Sequence, residues 1–428
     1  MKNINLWVAS SGVIGPTVSY SSVYLFHIFV FLWVVMTFFN LLKGKTIKVN
    51  QAYLLYPVYI LFFYSILTVF WHPDFATWAR YIFYLICGLF ALFSVYQYVS
   101  DRFYLSRIFL VLASLIMLNI LLGFFESLEL IRLPSSKYSP YVGLYGYAGT
   151  DLSTLSEGVL DYLTHKPSGF NFNYNTFGFV MLLATPFVLF NSNIIIKTVG
   201  LLVVVWLLFS MGSKALFASF LLMILMFTFY GKLTSKKVIF LLMGFPAIVL
   251  LIFAPVLLDI SSPEITRMYS FFEQLKLLIS LIESGDITVN NSTTARAFFY
   301  YTGLQELFSS YGIGIGIGGI EYKIQASFHF FFLQMLVDLG VAAFVFLLYF
   351  YISLIVVLRK ISFFSNNEKL SYYARASSLS LFIAIPASVA PSGVHYNLTF
   401  YLLIGFALAI IKVYNLEKQD ESSIACSC

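Results

Sequence analysis

The chain has 428 residues, of which 60% are hydrophobic, 19% aromatic and only 10% charged, against about 25% charged in soluble domains. With a mean hydropathy of +0.88, this composition excludes a soluble globular protein. The net charge of +6 is spread over many short loops, so it does not mark a nucleic-acid surface. Cys87 lies in an apolar run and Cys426 and Cys428 in a polar tail, which leaves neither a disulfide framework nor a zinc cluster.

Hydropathy predicts about twelve spans, at 4–19, 22–42, 52–71, 79–98, 107–126, 171–190, 194–211, 215–231, 238–258, 327–357, 376–391 and 397–414. The fold class expected is an all-α polytopic membrane protein with a single integral domain over 1–428. The first span is rich in Gly, Pro and Ser, but without it the next helix would deliver "KGKTIK" (43–48) to the wrong side. No signal-peptide cleavage site is evident near the N-terminus. The basic stretches 43–48, 100–107, 231–237, 359–375 and the tail after Lys412 then share one side, and the positive-inside rule puts both termini in the cytoplasm.

The opposite face carries two long polar segments, 127–170 and 259–326, and the short turns "WHPDF" and "PSGVHYN". Long connections of this kind usually carry function. In the first segment, leucines at 152, 155, 160 and 163 predict a short amphipathic helix at the interface, and "RMYSFFEQLKLLISLIESG" (267–285) shows a similar alternation. Tyrosines at 138, 141, 145, 147, 162 and 174 offer either a sugar-stacking surface or an interfacial aromatic belt.

Ionisable groups near or within spans are few, and each costs at least about 2.5 to 3.5 kcal/mol on insertion scales. Arg80, Lys214 and Arg296 are cations expected at the outer membrane level. For Arg80, snorkelling to headgroups stands equal to a ligand-binding role. Lys214 falls on a very short outer connection, where topology gives no reason for a positive charge. The stretch "ASFHFFFLQMLVDLG" (326–340) holds His329 and Asp338. His329, Leu333, Leu336 and Gly340 have the spacing of one helical stripe, and Gly340 would admit a neighbouring helix. Asp338, about half a turn out of phase, reads as a packing residue that pairs with a backbone donor or another helix. The "GIGIGIGG" run (312–319) lacks the Lys-Ser/Thr of a phosphate loop and reads as a tight return into the membrane.

The segment "HFFFLQMLVDLG" resembles the bacterial O-antigen polymerase and O-antigen ligase superfamily, with His329, Leu333, Leu336 and Gly340 in the places of its histidine motif. Around it, "TTARAFFYYTGLQELFSSYGIGIGIGG" resembles the family's arginine segment, which puts Arg296 on its second arginine. "SGFNFNYNTFGF" places Asn175 in an asparagine position, and "GSKALFASF" looks like a Ser-Arg turn with Lys214 for arginine. Phe330 departs from the usual Asn or Ser, and Lys214 keeps charge but loses the bidentate fork.

The resemblance implies a glycosyltransferase of C-type-like membrane fold that polymerises undecaprenyl-pyrophosphate-linked repeat units at the outer face of the plasma or inner membrane, by inverting transfer. His329 would be the catalytic base, Arg296, Lys214 and Arg80 would hold pyrophosphate, and Asn175, Tyr174 and Lys166 would contact substrate. Its partners would be lipid-linked donor and acceptor, the bilayer and a chain-length regulator, with no nucleic acid. The outer segments hold no Asp-x-Asp pair or His/carboxylate cluster, so neither metal nor other cofactor is expected. The alternatives are a ligase that transfers the glycan to lipid A-core and a flippase for the same lipid. Transporters commonly show paired repeats with midplane sites, a pattern this sequence lacks.

Overall fold

The computed structural model describes residues 2–44, 52–146, 166–230 and 292–427. The span expected at 238–258 and both amphipathic stretches, 151–165 and 267–285, lie outside them. The described residues form thirteen α-helices: α1 Lys2–Ile14, α2 Leu25–Leu42, α3 Tyr56–Leu67, α4 Phe75–Tyr98, α5 Arg102–Ser127, α6 Tyr174–Leu189, α7 Ile194–Met211, α8 Lys214–Phe229, α9 Ser292–Ser309, α10 Gly319–Ile324, α11 Phe331–Phe364, α12 Glu368–Ala387 and α13 Leu398–Ser427. A two-residue antiparallel ladder, Ser19–Tyr20 with Val23–Tyr24, is the only strand pairing among these residues.

The molecule is a helical membrane protein. Seven helical stretches among the described residues are long and apolar enough to cross a bilayer, and α6 and α8 are shorter apolar helices. The expected span at 4–19 corresponds to α1, whose 13 residues rise only about 20 Å, short of the roughly 30 Å hydrocarbon core. Short polar side chains start several helices. Asp74 accepts from the Thr77 N–H at 2.7 Å to open α4, Asp101 from Phe103 at 2.8 Å to open α5, and Asn367 from Leu370 at 3.0 Å to open α12.

The centre of the bundle is α13 against α4 and α12. Glycines set this approach, because a Cβ on Gly88 would stand 2.6 Å from the Tyr401 ring and one on Gly405 would stand 2.5 Å from the Leu92 carbonyl. Hydroxyls bind α12 to its neighbours: Ser380 donates to the Leu183 carbonyl (2.7 Å), and Ser378 to the Ile355 carbonyl (3.1 Å). By contrast α2 buries only Phe26 and presents Phe31, Phe38, Phe39 and Leu42 outward, as a lipid-facing helix does.

The 34-residue α11 is broken at Gly340, whose φ of 80° and ψ of 173° are not helical. The expected helix-to-helix approach at Gly340 is replaced by contact with the glycine loop. A Cβ there would lie 2.2 Å from the Ile313 carbonyl oxygen, and the Val341 N–H donates to the Gly312 carbonyl at 2.8 Å. His329 is likewise not on the expected stripe, because α11 begins at Phe331 and His329 itself has φ 61°.

Only glycine tolerates both this φ/ψ and this contact. Gly340→Ala should therefore cost about 3 kcal/mol or more of stability. Gly143→Ala, where an added Cβ meets nothing within 4 Å, should change it by less than about 0.5 kcal/mol. Thermal unfolding in detergent would compare them, and equal midpoints would contradict the assigned break.

Candidate functional site

The site is built around the break in α11. Residues 312–318 pass alongside it, with Gly312, Gly314, Gly316 and Gly318 all at positive φ. This alternation turns Ile315 and Ile317 into the protein while the backbone pairs with the helix. The Ile315 N–H donates to the Val337 carbonyl (3.1 Å) and the Gly316 N–H to the Asp338 carbonyl (2.9 Å). Non-helical backbone buried among apolar helices needs such internal partners.

Asp338 is fully buried, and its carboxylate accepts from the Gly318 N–H (2.9 Å) and the Ile320 N–H (3.1 Å). It therefore holds the first turn of α10. The α3–α4 turn closes the other side of the loop. Thr68 accepts from the Ile317 N–H at 3.2 Å, and the Tyr81 ring fills the space where a Gly318 Cβ would stand, at 2.4 Å.

From α10 the chain runs into the His329 turn. Phe328 is buried and packs its ring on Tyr300 of α9 (centroids 5.3 Å apart), and the Tyr300 hydroxyl reaches the His329 carbonyl at 3.5 Å. A left-handed backbone is uncommon for histidine and occurs where surrounding structure fixes it. The imidazole Nδ1 is buried without a hydrogen-bond partner among the described residues.

Burial is the main cause that pushes the His329 pKa down from 6.5 to about 4; the charges of Arg296 and Lys137 add to it, and backbone groups at Ala390 and Pro391 oppose it. The ring is thus neutral near pH 7, under the influence of two cations. Lys137 is a residue that sequence patterning missed. Its backbone N–H donates to the Phe172 carbonyl (2.9 Å), which ties residue 137 to the stretch before α6.

A second polar group lies next to it. Glu321 accepts a short hydrogen bond from the Tyr81 hydroxyl and a 3.1 Å bond from the Phe328 N–H. Desolvation raises its pKa, against the lowering effects of these two bonds and of Arg80. His395 in the 388–397 turn is 1% exposed and stacks 4.5 Å from the Tyr81 ring, centroid to centroid; burial, then Arg80, drives its pKa down to about 3. Arg80 itself is exposed, with its guanidinium on the Thr77 hydroxyl at 3.2 Å.

Lys214, Lys166, Tyr174 and Asn175 form a separate group. Lys166 is 2% exposed; its ammonium donates to the Met211 carbonyl at 2.7 Å and sits 4.2 Å from the Tyr174 ring centroid. Its carbonyl accepts from Arg132 at 2.7 Å, and Glu126 accepts from the Ser168 and Gly169 N–H groups, both at 2.7 Å. The role these bonds show for Lys166 is to tie the stretch before α6 to the α7–α8 turn. Asn175 is buried in the first turn of α6. Lys214 is the first residue of α8, a position where the helix dipole favours an anion nearby.

Phe330 now has a physical account. It is the N-cap of α11, where Asn or Ser would accept from the helix, yet it gives no side-chain cap and packs its ring on Tyr300 (6.2 Å). Beside the turn lies an apolar cavity of about 110 Å³ between α3, α4, α11 and α13, whose lining includes Ile317, Phe331, Phe332, Met335 and Tyr401. Among the described residues, no three His, Cys, Asp or Glu side chains converge to hold a metal ion.

The neutral state of His329 can be read by carbethoxylation, which needs the unprotonated ring. Its rate should rise with pH around a half-point near 4 rather than 6.5. Arg296→Gln should move that half-point upward, because one of the charges that disfavours protonation is gone. The sign for stability follows: between pH 6.5 and about 4 the unfolded chain binds the proton that the folded chain does not, so this group costs stability as pH falls through that window. A half-point at 6.5 in both proteins would contradict the assigned surroundings.

No family model matches the chain. It is 22% identical over 381 residues to the teichuronic acid biosynthesis protein TuaE of Bacillus subtilis (strain 168), an alignment that covers 84% of this chain and 71% of that protein. The similarity is distant, and it relates this helical membrane protein to one that acts in polysaccharide biosynthesis.

Proposed function

We propose that the protein polymerises oligosaccharide repeat units carried on a polyprenyl pyrophosphate, such as undecaprenyl pyrophosphate, into a surface polysaccharide of the O-antigen or capsular kind at the outer face of the plasma membrane. The observation that carries this reading is a neutral His329 on which the charges of Arg296 and Lys137 act, on a turn that leads directly into Phe331 and Phe332 of an apolar cavity wall. The cations suit an anionic leaving group and the cavity suits hydrocarbon. The relative named for teichuronic acid biosynthesis is consistent with polymer formation.

In this mechanism the hydroxyl of the acceptor sugar attacks the anomeric carbon of the donor. The new glycosidic bond forms as the carbon–oxygen bond to pyrophosphate breaks, which inverts the configuration. Arg296 and Lys137 stabilise the charge that gathers on the departing pyrophosphate, with Lys214 and Arg80 as outlying cations. His329 accepts the hydroxyl proton.

A resting pKa near 4 would make the imidazole a weak base. Arrival of the anion corrects this, because it neutralises the two cations that help hold the pKa down. The base becomes stronger when the substrate is present.

Polymer length measured on gels with purified lipid-linked repeat units tests the reading. His329→Ala should reduce turnover by roughly 100-fold or more, and full activity in that variant would overturn the assignment. The acid limb of kcat/KM, which reports free enzyme, should lie near pH 4, and the acid limb of kcat, which reports the complex, should lie above it. Translocation of the lipid in sealed vesicles without chain growth would instead establish a flippase.

A further inference from the structure

Glu321 is a carboxylate in the first turn of α10 whose two oxygens have different partners. One receives the Tyr81 hydroxyl from α4, and the other receives the Phe328 N–H at 3.1 Å, one residue before His329. We propose that Glu321 is the positioning residue for His329, a clamp that ties the left-handed histidine turn to α4 and so fixes where the imidazole points.

Three further observations support the clamp. Both ends are held independently, since Tyr81 is 2% exposed, packs on His395 and receives a 3.5 Å contact from the Gln334 amide, while Phe328 is buried against Tyr300 and Gly303. The helix that carries Glu321 is itself anchored at its start, by the Asp338 carboxylate on Gly318 and Ile320. Finally, Glu321 makes no salt bridge among the described residues, whose pairs are Arg102–Glu417, Arg132–Glu126 and Lys323–Glu306. Desolvating a carboxylate that is held by hydrogen bonds alone is costly, and here one of those bonds ends at the backbone of the histidine turn.

A left-handed histidine needs such a restraint. Without the Phe328 bond the turn can relax toward ordinary backbone geometry, and a displacement of about 1 Å at a reacting group costs on the order of 100-fold in rate. Glutamine at 321 keeps an oxygen for the Phe328 N–H and can offer its amide N–H to the Tyr81 oxygen. Alanine keeps neither.

The catalytic half of the test rests on the proposed polymerase reading, and the chemical half does not. Glu321→Ala, Glu321→Gln and Tyr81→Phe would be compared with the unaltered full-length protein in nanodiscs, by polymerisation kinetics and by mass-spectrometric carbethoxylation of His329 at pH 6. Glu321→Ala should lower kcat by roughly 30-fold or more while KM stays within about threefold. It should also change the His329 modification rate by roughly tenfold. Glu321→Gln should restore both to within about threefold, and Tyr81→Phe should shift both in the same direction by less. Unchanged His329 reactivity in Glu321→Ala, or a glutamine variant as impaired as alanine, overturns the clamp. If Glu321→Ala does not accumulate as folded protein, Tyr81→Phe decides, and normal kinetics and reactivity in that variant overturn it. If the unaltered protein forms no polymer, the polymerase reading fails while the modification rates still judge the clamp.

Discussion

A carboxylate buried within a membrane helix is the constraint on which the rest of this structure depends. Asp338 has no counter-charge in its immediate bonds; it is satisfied by the N–H groups of Gly318 and Ile320. Burying such a polar group without partners costs free energy, and hydrogen bonds from fixed backbone donors offset that cost. Those donors exist only because the chain before α10 is folded back against the broken helix. The break at Gly340 supplies the space, and the glycine loop supplies the hydrogen bonds that a broken helix inside apolar surroundings would otherwise lack. Neither half is stable without the other.

The position of the histidine follows from this arrangement. With α10 held at its first turn, the six residues from Gly319 to Ile324 carry Glu321 to Tyr81 and deliver the chain to Phe328 and His329. Two short turns that are far apart in sequence, 71–74 and 388–397, close over the same loop through His72 and His395. The stretch before α6 adds the charge of Lys137. A rigid, hydrogen-bonded support of this kind can keep a neutral imidazole under the influence of cations, a combination that solvent or free rotation would dissipate.

Much of this was legible in the residues. Eleven of the twelve expected spans overlap a described helix, and seven helical stretches among the described residues are long and apolar enough to cross a bilayer; runs of Leu, Val, Ile and Phe without charge leave the backbone no other way to satisfy itself in lipid. Arg296 and His329 stood out as polar residues where polarity is expensive. Lys137 and Glu321 did not, since each lies in a polar stretch where a charge is ordinary, and only their distance-independent neighbours in the fold give them meaning. The helical stripe through His329 and Gly340 failed for a related reason: periodicity assumes an unbroken helix, and the positive φ at both residues ends it.

Composition and periodicity by themselves determined that this is a helical membrane protein and which few ionisable groups required explanation, because the transfer cost of charge into hydrocarbon depends only on the residue and its depth. The tertiary structure alone decided how those groups are used. It gave Asp338 to the glycine loop, Lys166 to the Met211 carbonyl, and Arg296 with Lys137 to His329. Such pairings join segments up to about two hundred residues apart, and a hydrogen bond or a screened charge acts over only a few ångströms, so they exist only once the chain has folded.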